Sequence, residues 1–301
     1  MAVTFAPAKQ VITRRGFLQA GMCAAAGLVL YSGEIERHWI EINRREVTIP
    51  GLHAAFDGLR VAQLSDIHFD EFTEPIFLRD AVDRINSMNP DVVFLTGDFV
   101  TSDAIARRVF KDAASECAGI LNQLKCSQRY ACLGNHDVLV GVKTVTEALS
   151  GIGVKVLNNC YTPVERNGGR FWLAGVEDPV EGHPDPEAAI PASIRNLPNE
   201  PVVLMCHAPD YVDKLLAQPV GQAIALMLSG HTHGGQICLP FIGPLALPEM
   251  GRKYVKGWFR FGGLQLHVNR GLGTVNLPFR FDCPPEISLI TLRAQILQSQ
   301  A

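Results

Sequence analysis

The chain has 301 residues, 47% of them hydrophobic and 19% charged, an ordinary globular balance with enough apolar material for a substantial core. A formal charge of -3 and a sequence pI near 6.3 argue against a broad basic surface, so no nucleic-acid partner is expected, while a local positive pocket for phosphate stays open. The eight cysteines are scattered without a C-x-x-C pair, which removes a zinc knuckle and a thioredoxin-like motif and leaves most of them as small buried hydrophobes.

Residues 12 to 31 read "ITRRGFLQAGMCAAAGLVLY", with Arg14 and Arg15 directly before an apolar run that carries no charge until Glu34. A cationic start and a short apolar segment are the marks of an export signal, and "TRRGFL" resembles the twin-arginine signal read by the machinery that exports folded proteins. Residues 1–35 are therefore set apart as a signal or membrane anchor, and 36–301 as the functional domain, expected in the periplasm or cell envelope. The A-x-A at Ala24 to Ala26 lies inside the apolar run and "LYSG" is a poor processing site, so an uncleaved tether at a membrane surface remains open. Cys23 lacks the aliphatic residue three positions earlier that lipoprotein processing requires.

From residue 38 onward short apolar runs alternate with helical patterns, the rhythm of stacked β and α units. "LRVAQLSDIHFD" (59 to 70) is a buried-type strand that delivers Asp66 and His68, and "PDVVFLTGDFV" (90 to 100) ends at Asp98. Between them "EPIFLRDAVDRINSM" (74 to 88) has helical spacing, as does roughly Asp103 to Leu124. "RYACLGNHD" (129 to 137) ends at Asn135, His136 and Asp137, "PVVLMCHAPD" (201 to 210) at His207, and "AIALMLSGHTH" (223 to 233) at His231 and His233. Strand, helix, strand in succession favours parallel pairing with right-handed crossovers, and such sheets bind ligands beyond their carboxyl ends.

The spacing of His231 and His233 carries information. A helix would turn them about 200° apart, whereas an extended or tight-loop backbone aims residues two apart to the same side, with Cα atoms roughly 6.5 Å apart. Singly, the aspartates read as helix caps, Asn135 as a turn residue and the histidines as core residues. Together, Asp66, His68, Asp98, Asn135, His207, His231 and His233 are seven oxygen or nitrogen donors, each following an apolar strand, which suit Mn, Fe, Zn or Mg rather than a thiolate site. Seven are too many for one tetrahedral ion and, with one shared carboxylate, about right for two ions roughly 3.5–4 Å apart. The other histidines, at 38, 53, 183 and 267, read as structural or surface residues.

The ordered set "SDIH", "TGD", "LGNHD", "CH" and "SGHTH", spanning residues 65 to 233, resembles the motifs of the calcineurin-like metallophosphoesterases. "GHTHGGQI" and "NRGLGTVNLPFRFDCPPEI" (269 to 287) are similar to a bacterial branch, the YkuE/YaeI-type phosphodiesterases. The resemblance implies an α/β/β/α four-layer sandwich, two mixed sheets flanked by helices, with "GRFWLAGVED", "LQLHV" and "ISLITL" compatible with the second sheet. It also implies two divalent cations: Asp66, His68 and His233 holding one, Asn135, His207 and His231 the other, Asp98 bridging. His136 then acts as acid or as a cationic partner of phosphate oxygens, with Asp137 orienting it.

Arg270 either reaches a phosphate oxygen or pairs with an acidic loop residue. The apolar, proline-rich "CLPFIGPLALPEMGRKYVKGW" (238 to 258) lines a pocket, lies on a membrane, or is a buried excursion. The expected activity is phosphoester hydrolysis, foremost of a phosphodiester. Cleavage of a lipid-linked nucleotide-sugar pyrophosphate (the UDP-diacylglucosamine type) and a non-catalytic binding module are the alternatives, so the substrate is a phosphorylated small molecule or lipid.

Overall fold

A computed structural model describes residues 13–69, 72–102 and 112–295. Two six-stranded mixed sheets dominate it. The first has the order β1 (Glu41–Ile49), β14 (Glu286–Ala294), β2 (Arg60–Leu64), β3 (Val92–Thr96), β4 (Arg129–Cys132), β5 (Lys155–Val156). The second runs β12 (Gly257–Phe261), β13 (Leu264–Val268), β9 (Ile224–Ser229), β8 (Val202–Met205), β7 (Gly169–Gly175), β6 (Cys160–Arg166). A small hairpin, β10 (Cys238–Leu239) and β11 (Gly243–Pro244), stands apart from both.

The central strands are buried on both faces, which is why they read as continuous apolar runs rather than as alternating ones. In β2 and β3, Val61, Val92 and Phe94 face the second sheet, where they meet Val203, Met205, Leu226 and Leu228. Ala62, Leu64, Val93 and Leu95 face outward onto helices α2 (Pro75–Met88), α3 (Ala113–Leu121) and α4 (Asn135–Gly151). Leu204, Met227, Leu266 and Val268 cover the outer side of the second sheet against Ile194, Leu215 and Val220. The four layers are therefore helix, sheet, sheet, helix, as expected. Within the expected helix Asp103 to Leu124, residues 103–111 lie outside the described residues, and α3 is the described part.

Two placements differ from the sequence reading. "ISLITL" lies in β14, which joins the first sheet: it pairs parallel with β1 and antiparallel with β2, closing a gap between strands distant in sequence. The segment just before residue 36 is packed rather than separate. Helix α1 (Arg14–Leu30) has no buried residue, but it continues into Tyr31–Ile35, where Ser32 and Gly33 are buried. Arg280 donates its N–H to Ser32 O at 3.0 Å, and Cys283 donates its N–H to the Glu36 carboxylate at 2.6 Å. The folded body thus begins near Tyr31.

Candidate metal centre

Strands β2, β3, β8 and β9 all point their carboxyl ends to one edge, and the loops beyond them carry the clustered side chains. These loops turn sharply. Asp66, His68, Asp98, His231 and His233 all have left-handed backbone, with φ of 49°, 46°, 54°, 71° and 50°. Such φ values cost a non-glycine residue on the order of 1–3 kcal/mol each and persist where surrounding contacts over-determine them. The contacts are visible: Asp66 donates its N–H to Gly97 O at 2.9 Å, His68 to Asp98 O at 3.0 Å, and His231 donates its N–H to Asp66 Oδ1 at 2.8 Å. Glycine is required where loops cross, since a Cβ at Gly134 would collide with the Asp98 carboxylate and one at Gly230 with Ser65 and Asp66.

The side chains converge. Ligand atoms of Asp66, His68 and His233 lie within 4.8 Å of one another, as do those of Asp98, His207 and His231, and those of His68, Asp98 and His136. Asp98 Oδ2 is 3.1 Å from His207 Nε2 and 3.5 Å from His68 Nε2, so its carboxylate stands between the first two groups. His68 Nε2 and His233 Nε2 approach to 3.0 Å.

Each of these imidazoles is held by its other nitrogen. His207 Nδ1 faces Thr96 O at 2.7 Å, His233 Nδ1 faces Gly273 O at 3.3 Å, His68 Nδ1 faces Thr101 Oγ1 at 3.2 Å, and His231 Nε2 faces Glu249 O at 2.7 Å. A carbonyl or hydroxyl oxygen accepts the N–H of one ring nitrogen and leaves the lone pair at the other free, the arrangement a metal ligand needs. Burial drives His68 down to about 3 and His231 to about 4, and takes His233 well below the ordinary imidazole range. Those rings are neutral at pH 7 and ready to ligate.

Burial also pushes Asp66 up to about 6, with His207 opposing the rise and Asp98 adding to it. For Asp98, burial opposes charge but His207 and His68 hold it well below the usual carboxylate range. His207 answers in kind: burial would lower it, yet Asp98, then Asp66 and Asp178, raise it well above normal. One buried ligand atom, Asn135 Oδ1, has no hydrogen-bond partner among the described residues, and His207 Nε2 faces the Asp98 carboxylate. Unpaired burial costs about 1–3 kcal/mol per polar group, a cost relieved where the atom faces a cation. The donor set, carboxylates, an amide oxygen and imidazoles, fits a divalent ion.

The remaining expected residues divide. His136 lies at the cavity beside the cluster, its ring edge-on to His68 at 4.7 Å between centroids. Ser102 donates its backbone N–H to His136 Nδ1 at 3.1 Å, so the neutral ring carries its proton on Nε2. The orienting role expected of Asp137 is corrected: its carboxylate accepts N–H groups of Asp98, Gly134, Phe99 and Val100 at 2.8, 2.9, 2.9 and 3.4 Å, and Ser102 is the residue that meets the His136 ring.

The substrate contact expected of Arg270 is also corrected, because its Nε and Nη2 each lie 2.7 Å from a carboxylate, of Glu286 and Glu41. The acidic-pairing alternative is the one observed. Sequence reasoning missed Arg280, fully buried, which donates to Gly271 O, Gly273 O and Cys283 O and places Nη2 3.5 Å from His233 Nδ1. It also missed Asp178, buried after β7 with Oδ2 unpartnered among the described residues. Both lie in stretches quoted above, residues 269 to 287 and 169 to 178, but neither belongs to the five donor motifs. None of His38, His53, His183 or His267 joins the clusters.

Over the centre opens a cavity of 350 Å³, floored by His68, Asp98, Asn135, His136, His231 and His233. Its walls are largely apolar and include Ile237, Leu245, Leu247, Pro248 and Leu277.

The calcineurin-like phosphoesterase profile matches residues 59–235, the stretch that carries every clustered residue. The chain is 32% identical over 282 residues to the uncharacterized metallophosphoesterase YkuE of Bacillus subtilis, covering 93% of this chain and 94% of that one. It is 32% identical over 291 residues to phosphodiesterase YaeI of Escherichia coli, covering 94% and 100%. It is 26% identical over 341 residues to the UDP-2,3-diacylglucosamine pyrophosphatase LpxG of Chlamydia trachomatis, covering 91% and 98%. With its histidines and aspartates gathered at one sheet edge and these relatives matched along nearly their whole length, the chain belongs to the calcineurin-like phosphoesterases.

Proposed function

We propose that the chain hydrolyses phosphodiesters at a centre of two divalent cations. Membership of the family makes it a metal-dependent phosphoester hydrolase; the number of ions and the role of each residue are our reading. The observation that carries it is the Asp98 carboxylate standing between the Asp66, His68 and His233 group and the pair His207 and His231. Asp66, His68 and His233 would hold one ion, His207, His231 and Asn135 the other, with Asp98 shared. When bound, such ions neutralise phosphoryl oxygens and acidify water to supply the nucleophile near neutral pH.

The chain's own residues do the rest. Asp98 and Asp66 concentrate negative charge in a buried site that also favours a cationic neighbour. His136, in its imidazolium form, gives the Nε2 proton to the departing oxygen and is left as a neutral ring, which contributes about 10²–10⁴-fold in rate for a well-placed acid. Ser102 meets the ring at Nδ1 through both its N–H and its hydroxyl and so fixes the direction in which Nε2 points. The strained loops hold the donors in place before substrate arrives, so little reorganisation is left for the reaction itself.

We further read the N-terminal segment as a twin-arginine signal that takes the folded protein to the cell envelope. The reading is supported by Arg14 and Arg15 at the start of an exposed apolar helix. The alternative substrate class, a lipid-linked pyrophosphate, is favoured by the apolar cavity wall and by the likeness to LpxG.

The test is a substrate panel on the metal-loaded full chain: bis(p-nitrophenyl) phosphate, p-nitrophenyl phosphate and a nucleoside diphosphate ester. Turnover of the diester, abolished by a chelator and restored by added cation, is expected. Cleavage of the monoester alone, or activity indifferent to the chelator, overturns the proposal.

A further inference from the structure

The tip of the β10–β11 hairpin presents Phe241 and Ile242 to solvent, both strongly exposed. Large apolar side chains left this bare usually mark a contact surface. The patch does not stop at the tip: Leu245 and Leu277 are each more than half exposed and also line the cavity, so the apolar surface runs from the hairpin into the cavity mouth.

A second apolar element leaves the body beside it. The continuous helix Arg14–His38 is long and apolar enough to cross a membrane, and Phe17, Leu18, Met22, Leu28, Val29 and Leu30 are exposed along it. One residue ties the two elements together. The Phe281 ring packs edge-on against Tyr31 at 6.5 Å, while the Phe281 carbonyl accepts the N–H of Cys238, the first residue of the hairpin, at 2.8 Å. The helix end and the hairpin root therefore flank a single stretch of chain that continues from cavity-lining Leu277. Tyr31 and Trp39, both exposed, lie where the apolar helix meets the folded body, the level at which such rings sit in a bilayer.

We infer that the hairpin tip enters the same bilayer as the N-terminal helix, so that the cavity opens onto the lipid surface and takes a phosphodiester carrying acyl chains, with the phosphoryl group at the metal centre and the chains along Leu245, Leu247 and Leu277. A bilayer is the occupant because the neighbouring helix is long and apolar enough to cross one, and because the patch joins a cavity whose floor is polar and whose walls are not. Anchoring by two points fixes orientation, which one helix on a flexible link would leave free. The inference rests on the phosphodiesterase reading above.

The test uses the full chain reconstituted with vesicles of phosphatidylethanolamine and phosphatidylglycerol, and two esters sharing one leaving group: water-soluble bis(p-nitrophenyl) phosphate and a diacylglycerol p-nitrophenyl phosphate in the vesicles. For F241S/I242S, a double change at exposed positions outside the cavity lining, turnover of the soluble ester should match the parent and that of the lipid ester should fall at least tenfold. In a parallel F241W variant, brominated acyl chains should quench fluorescence beyond the quenching of the parent's three tryptophans. Unchanged lipid-ester turnover in the double variant, or no added quenching at position 241, overturns the inference while soluble-ester turnover persists. If the parent cleaves neither ester, the phosphodiesterase reading itself has failed.

Discussion

The Asp137 carboxylate accepts the backbone N–H of Asp98 at 2.8 Å, so the residue at the middle of the donor cluster is held in its left-handed turn by a second, deeper carboxylate. The same Oδ2 takes the N–H of Gly134 at 2.9 Å, and Oδ1 those of Phe99 and Val100, which ties the loop after β3 to the start of α4. Asp137→Asn would replace one acceptor by an N–H₂ facing N–H donors. The variant should lose about 2–4 kcal/mol in urea unfolding, since buried amides are left unpaired. Its metal content should fall without any change in the ligands themselves. A variant that keeps parental stability and metal content would show that the Asp98 turn needs no brace.

His136 separates chemistry from metal binding. His136→Asn should retain parental metal content and turn over about 10²–10⁴-fold more slowly. Esters of acidic phenols should lose less than alkyl esters, because a good leaving group needs no proton. Because His136 also groups with His68 and Asp98, metal analysis of the variant is the deciding assay: a fall in bound cation would make it a ligand instead of an acid.

Strand-end chemistry was legible in the sequence because each donor follows directly on an apolar run, and β2, β3, β4, β8 and β9 fall where those runs lie. The pairing of strands was not. β14 sits between β1 and β2, a contact across more than 200 residues that no local pattern announces, and it is what assigned "ISLITL" to the first sheet. Roles that depend on where a side chain turns were likewise hidden. Asp137 follows His136 in sequence yet turns to the backbone, and Arg280 folds back onto carbonyls of its own loop, Gly271 and Gly273 among them. Sequence distinguishes charged from neutral groups but not which of several neighbours a charge meets, and Arg270 went to Glu286 and Glu41 for that reason.

That pairing has a pH consequence. Burial opposes ionisation of Glu286, but His267 and Arg270 bring it down to about 2 from an ordinary 4.5. A carboxyl depressed on folding contributes stability above its unfolded value, and that contribution is lost as pH falls through the folded one. The window therefore runs from about pH 4.5 down to pH 2, and the contribution is on the order of 3 kcal/mol. Urea midpoints of the parent and Glu286→Gln should differ most at pH 6, narrow as pH falls below about 4.5, and converge only near pH 2. A gap independent of pH would place the effect in packing alone.

The address at the N-terminus is testable apart from the chemistry. Changing Arg14 and Arg15 together to Lys keeps the charge and removes the guanidinium fork. The double variant should retain diester turnover but accumulate in the cytoplasmic fraction. Normal envelope localisation would remove the twin-arginine reading and leave the catalytic account untouched.

The central claim is that two ions share Asp98, and metal counting tests it most directly. Chelator-stripped protein titrated with Mn²⁺ and analysed by elemental mass spectrometry should bind two ions per chain, with diester turnover rising as the second site fills. His68→Asn and His231→Asn should each hold one ion under the same conditions, and Asp98→Asn should weaken both sites and abolish turnover while the chain stays folded. A parent that saturates at one ion, or an Asp98→Asn protein that carries two and turns over normally, would contradict the account.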